Sequence, residues 1–106
     1  MEVVEEMKKL RELLDKRGIT WEDASEEGAE GYKDLWICRT WFNYNGLRVS
    51  CINGLGTYGG FGGANPSDGN YGLLEMMIEG FEPIGWQKAK ECIAILDLMT
   101  VVSKEK

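Results

Sequence analysis

The dipeptide Asn45-Gly46 divides the stretch "DLWICRTWFNYNGLRVSCIN", residues 34–53, into two runs rich in β-branched and aromatic side chains. Asn-Gly suits a type I′ turn, whose central residues both take positive φ and whose twist matches that of the flanking strands. Because a two-residue loop fixes register, Tyr44 should face Leu47, Phe42 should face Val49, Thr40 should face Cys51, and Cys38 should face Asn53. Side chains alternate across a pleated strand. That set therefore forms the apolar, core-facing side of a hairpin. The other side carries Arg39, Trp41, Asn43, Arg48 and Ser50, with Ile37 and Ile52 toward the far end.

The hairpin needs layers to cover it, and the flanking sequence supplies them. Val3, Val4, Met7, Leu10, Leu13 and Leu14 recur at helical spacing and Gly18 follows, which predicts a helix over roughly 2–17 with a glycine cap. Thr20 should cap a further short turn through Trp21 and Glu22. "YGLLEMMI" reads as a third strand, with a short helix as its competitor. "EGFEPIG" reads as a turn, and a second helix is expected from near Trp86 to about Val102. Its end, "CIAILDLMTVV", is apolar on nearly every side. A helix of that kind is either sandwiched in the core or part of a subunit interface. The interface alternative is a homodimer through Ile95, Leu98, Met99 and Val102. The expected fold is α+β, in the order α-β-β-loop-β-α. It consists of an antiparallel sheet of three strands, or slightly more, with the N- and C-terminal helices packed on one face.

At 106 residues, 43% of them hydrophobic, the chain suits one domain with a single modest core. It contains no histidine, which removes imidazole bases and the commonest zinc ligand. Cys38, Cys51 and Cys92 are scattered, which argues against a disulfide framework or a zinc site, and Cys38 and Cys51, diagonal on the core face of the hairpin, read as small buried apolar residues. No cofactor or metal is expected, and an enzyme is disfavoured. The net charge is −6, and residues 1–30 hold ten acids against five bases. Without a basic stripe such a chain repels a phosphate backbone, so no nucleic-acid partner is expected. No apolar run is long enough for a membrane span, and the acidic, amphipathic N-terminus does not read as a signal peptide. The expected location is cytoplasmic. The run "EDASEEGAEG", residues 22–31, reads as a solvated loop, or as an acidic patch that docks on a basic partner.

The segment 54–72 holds eight of the 14 glycines, and Gly54, Gly56 and Gly59 spell G-x-G-x-x-G after a strand. In a dinucleotide fold that spacing turns a strand tightly into a helix whose N-terminus binds pyrophosphate. Here "GFGGANPSDGN" follows, which cannot start a helix, and the strand before it belongs to a hairpin. The dinucleotide reading fails. A less specific ligand site remains: glycine backbone for close approach, Tyr58, Phe61 and Tyr71 for stacking, and Arg39 and Arg48 for a phosphate. The candidate ligand residues are Arg39, Trp41, Arg48, Tyr58, Gly59, Gly60, Phe61, Asn65 and Tyr71. The simpler alternative is that glycine and tyrosine pack a cramped loop over the sheet. Asp68 beside Gly69 reads as a turn residue.

The runs "RGITWED", "TWFNYNGLRVSCINGLGTYGG", "YGLLEMMI" and "EPIGWQKAKECI" together resemble the small orphan proteins carried by phages and prophages of Gram-positive bacteria. The resemblance implies an accessory protein of the anti-defence kind, cytoplasmic in the bacterial host. Such proteins sequester a nucleotide-derived signal, or inhibit a host nuclease or effector through an acidic surface. A prophage structural or interaction protein without a ligand is the third alternative.

Overall fold

The computed structural model describes residues 3–26, 37–54, 56–60 and 71–104, the last four by backbone alone. Its elements run α1 (Glu5–Lys16), β1 (Trp21–Asp23), β2 (Cys38–Tyr44), β3 (Leu47–Asn53), β4 (Leu74–Ile78), β5 (Ile84–Gln87) and α2 (Ala89–Lys104). Among the described residues these five strands form one antiparallel sheet in the order β1-β2-β3-β4-β5. The fold is α+β with a helix at each end of the chain, but the sheet has five strands where three are the central expectation.

The hairpin takes the register set by its turn. Tyr44 faces Leu47, Phe42 faces Val49, Thr40 faces Cys51 and Cys38 faces Asn53. Asn45 has φ 50° and Gly46 φ 91°, the pair of positive angles that a type I′ turn requires. Gly46→Val should cost about 1–2 kcal/mol, because a β-branched side chain crowds the left-handed backbone. A urea titration in which this variant matches the wild type would refute that role.

Strand β4, "LEMMI", extends the same alternation, with Val49 opposite Ile78 and Cys51 opposite Met76. On this side of the sheet Phe42, Tyr44, Val49, Cys51, Leu74, Met76 and Ile78 form one buried cluster with Met7, Leu10 and Leu14 of α1 and Ala89, Cys92, Ile93 and Leu96 of α2. Both helices therefore share one face. The Cys51 thiol is hydrogen-bonded to Cys92, which together with burial pushes its pKa well up. All three cysteines are free and buried, in keeping with small apolar packing.

Two sequence expectations are corrected. The segment after Thr20 is not a helical turn: Trp21, Glu22 and Asp23 pair with Phe42, Trp41 and Thr40 as edge strand β1. The pairing rewards this conformation locally, since Trp21 packs against the core and its indole N–H donates to Asp15 at 2.8 Å. The second helix does not begin near Trp86. After the turn at Gly80 (φ 89°) the chain forms β5, and α2 starts only at Ala89. Two side chains fix that start. Glu91 accepts the Lys88 N–H at 2.8 Å, and Glu6 of α1 accepts the Ala89 N–H at 2.9 Å, which meets donors that a helix start leaves open.

Helix α1 ends as expected at Gly18, which has φ 69°. The Ile19 N–H reaches Leu14 O at 2.9 Å and the Gly18 N–H reaches Asp15 O at 3.0 Å, the two bonds of a Schellman cap. Near this end Arg17 donates to the Tyr44 hydroxyl at 2.6 Å and to Asp97 of α2 at 3.0 Å, and the Tyr44 hydroxyl donates to Asp97. This polar knot ties both helices to β2.

Candidate functional site

Opposite the helices, the other face of the sheet has no layer of secondary structure over it among the described residues. Side chains directly across a strand pair share a face, so Glu22, Trp41, Ser50 and Met77 form one row and Arg39, Ile52 and Glu75 another. Ser50 is buried between its larger neighbours, and Ile52 is also buried. The candidates Arg39, Trp41 and Arg48 lie on this open face, as the hairpin pattern requires.

Their electrostatics separate them. Arg39 is tied to Glu26 at 3.3 Å. Of the other arginines, Arg11 pairs with Asp23 at 3.2 Å and Arg17 with Asp97. Among the described residues Arg48 has no carboxylate at ion-pair distance. Its guanidinium instead lies 4.6 Å from the centre of the Trp41 ring. A guanidinium stacked on an indole keeps its planar fork of donors available at the edge. Beside this pair a groove of about 420 Å³ runs along Met77, Phe81 and Pro83. Met77 and Phe81 are 40% and 58% exposed, a large apolar surface to leave in water. Sequence reasoning misses both, because "EGFEPIG" reads as a plain turn and Met77 belongs to a strand with no assigned face.

Of the glycine-rich segment, residues 54, 56–60, 71 and 72 are described, and the Tyr58 backbone reaches Glu75 on the same face. The first part of the segment folds into tight turns: the Thr57 N–H donates to Gly54 O at 3.2 Å, the Gly60 N–H to Thr57 O at 3.0 Å, and the Gly54 N–H to the Thr57 hydroxyl at 3.0 Å. The Tyr58 N–H donates to the Glu75 carboxylate at 2.8 Å. Gly59 and Gly60 are buried, and Gly59 O accepts the Leu73 N–H. These amides are engaged within the protein and do not form an open cradle for phosphate. Tyr58 and Tyr71 remain exposed; the Tyr58 backbone bonds to Glu75, the Tyr71 ring meets Trp86, and among the described residues neither tyrosine ring carries a stacked arginine. Phe61 and Asn65 lie outside the described residues.

Trp86 sits in a β-bulge. Leu74 pairs with Gln87 and Met76 with Ile84, so two residues of β5 stand opposite Glu75 alone. Trp86 takes φ 59° there, an unfavourable angle for a residue with a Cβ. Its N–H donates to Tyr58 O at 3.2 Å, and its ring meets Tyr71 edge-on with centroids 5.4 Å apart.

A second concavity, about 310 Å³, lies between α1 and the start of α2. Its lysines, Lys9, Lys16, Lys88 and Lys90, are interleaved with Glu6 and Glu12, and Glu6 already occupies the helix N-terminus. The Glu6 carboxyl, pushed up by burial but drawn down further by the Ala89 N–H and by Lys9 and Lys88, has a net lowered pKa. In the acidic run, Asp23 is held below the usual range by hydrogen bonds from Ser25 and by Arg11. Asp23 and Glu26 thus serve internal pairs, which weakens the acidic-patch reading. Residues 27–31 of that run lie outside the described residues.

On α2, Ile95 and Met99 are half-buried against the core, whereas Leu98 is 68% exposed. The Val102 side chain lies outside the described residues. Much of the apolar character of this helix is accounted for by packing on the sheet. Among the described residues no helix is long and apolar enough to cross a membrane, and no cluster of His, Cys, Asp or Glu could hold a metal ion. No family model, curated protein or solved structure matches the chain.

Proposed function

We propose that the protein is a non-enzymatic binder of a nucleotide-derived small molecule, held in the groove of the open sheet face. The observation that carries this reading is Arg48: stacked on Trp41 at 4.6 Å, beside exposed Met77 and Phe81, and without a carboxylate partner among the described residues. A planar base would lie against Trp41 and Phe81, and the guanidinium fork would take a phosphate. Binding without turnover suits a chain that lacks histidine and keeps its thiols buried. Sequestration of a nucleotide signal is also the role suggested by the resemblance to small phage accessory proteins.

The test is thermal-shift screening against a nucleotide panel, followed by calorimetric titration of any ligand found. Arg48→Ala should weaken binding by about 1.5–3 kcal/mol, the range for a hydrogen bond to a charged group. Its own effect on folding should stay within about 1 kcal/mol, the size of a surface cation–π contact. Equal binding by wild type and Arg48→Ala removes Arg48 from the site. If no nucleotide binds, and neutralising the acids of residues 22–30 abolishes activity, the protein is an inhibitor that docks on a basic partner.

A further inference from the structure

Glu75 is only 7% exposed, yet among the described residues no lysine or arginine pairs with it. Its Oε1 accepts a hydrogen bond from the neutral Tyr58 N–H. A buried carboxylate is costly to keep unless a cation or several donors compensate it. Three partly exposed aromatic residues are linked to Glu75: Tyr58, 52% exposed, through that N–H; Trp86, 39% exposed, opposite it in the β5 bulge and bonded to Tyr58 O; and Tyr71, 48% exposed, through its ring contact with Trp86. The bulge of β5 carries Trp86, whose ring meets Tyr71. Gly85 leaves room for the Tyr58 side chain to pass over it, and Trp86 is turned by its φ of 59° to meet Tyr71 at 66°.

We propose that Tyr58, Tyr71 and Trp86, together with the Glu75 carboxylate, form a binding site for an organic ammonium ion. Ring faces attract a cation through their quadrupole, most strongly for tryptophan, and a methylated ammonium loses little hydration on entering such a corner. Glu75 supplies an acidic group at the site, and the net charge of −6 favours approach of a cation. The site differs in chemistry from the Arg48 groove, which suits an anion, and does not rest on it. Strain at Trp86 has a role here, since an ordinary strand angle would place the ring differently.

The experiment is an NMR titration of the labelled protein with choline and with its neutral isostere, 3,3-dimethylbutan-1-ol. Choline should shift the Trp86 indole and Tyr58 amide signals and bind at least about fivefold more tightly than the isostere, the margin of one cation–π contact. Glu75→Gln keeps an oxygen for the Tyr58 N–H and should bring choline down to the affinity of the isostere. Trp86→Gly should abolish binding while the chain stays folded, because glycine adopts this φ freely. A short peptide carrying trimethyl-lysine distinguishes the source. Tighter binding of the peptide places the ion on a partner protein, and tighter binding of choline makes it a free metabolite. Equal affinity for choline and the isostere, or choline binding unchanged in both variants, would overturn the proposal.

Discussion

Phe42→Ala is expected to destabilise the protein by about 3–5 kcal/mol, the loss of a buried aromatic ring together with the cavity it leaves. Phe42 is 1% exposed in β2, flanked in register by Trp21 and Val49, and its ring stands edge-on to Tyr44 with centroids 6.5 Å apart. A domain of this size is stable by only about 5–15 kcal/mol. The variant should therefore unfold at much lower urea, and Phe42→Leu, which keeps most of the volume, should lose much less. Trp41→Ala is the internal control. One residue away on the same strand, Trp41 faces the open side and is only half-buried. Its removal deletes the contact with Arg48, worth about 0.5–1 kcal/mol at an exposed site. Similar losses for the two alanine variants would mean that the sheet does not have the sidedness described.

That sidedness is legible in the sequence because Asn45-Gly46 fixes register and a pleat has a period of two. One turn and one period locate Phe42, Val49, Thr40 and Cys51 on the core face. The edge strands are not legible, because each lacks a readable period. β1 is three residues long, and "WED" is too short to show alternation, inside a run whose charge suggests a loop. β5 has its alternation broken by the bulge, with Pro83 before it and Gly85 within it, so "EGFEPIG" reads as a turn and Trp86 as the start of a helix. The start of α2 is hidden because Glu6, which caps Ala89, is 83 residues away in sequence. Long-range pairing also explains the divided site. Arg39 and Arg48 share a face, but Glu26 occupies the first, and no local pattern reveals that contact. The glycines of residues 54–60 are visible as an anomaly, whereas their purpose depends on atoms brought in by folding.

Gly60→Ala decides what that purpose is. If the loop needed glycine only for flexibility, alanine at Gly60 would be harmless, or would stabilise by about 0.4–1 kcal/mol through the unfolded chain. The geometry demands the opposite. A methyl group at Gly60 would overlap the Thr57 hydroxyl and stand 2.8 Å from both Gly54 N and Gly54 O. Those atoms belong to the turn that carries Tyr58 onto Glu75, so they cannot yield without releasing the Thr57 and Tyr58 hydrogen bonds. Forcing a group into a packed site of this kind typically costs about 1–3 kcal/mol, and lost bonds among buried groups add to it. Gly56→Ala separates sterics from backbone angle. Gly56 has φ 78°, and a methyl group there would meet nothing within 4 Å, so its variant carries conformational strain alone. That strain is worth about 1–2 kcal/mol. Gly60→Ala should therefore melt below Gly56→Ala in a calorimetric scan. It should also shift the amide signals of Tyr58 and Trp86, which Gly56→Ala should leave nearly in place. A Gly60→Ala protein that melts at or above the wild-type temperature would return the segment to an open, ligand-seeking loop. The expected result makes residues 56–60 a clamp that holds Tyr58 against β5.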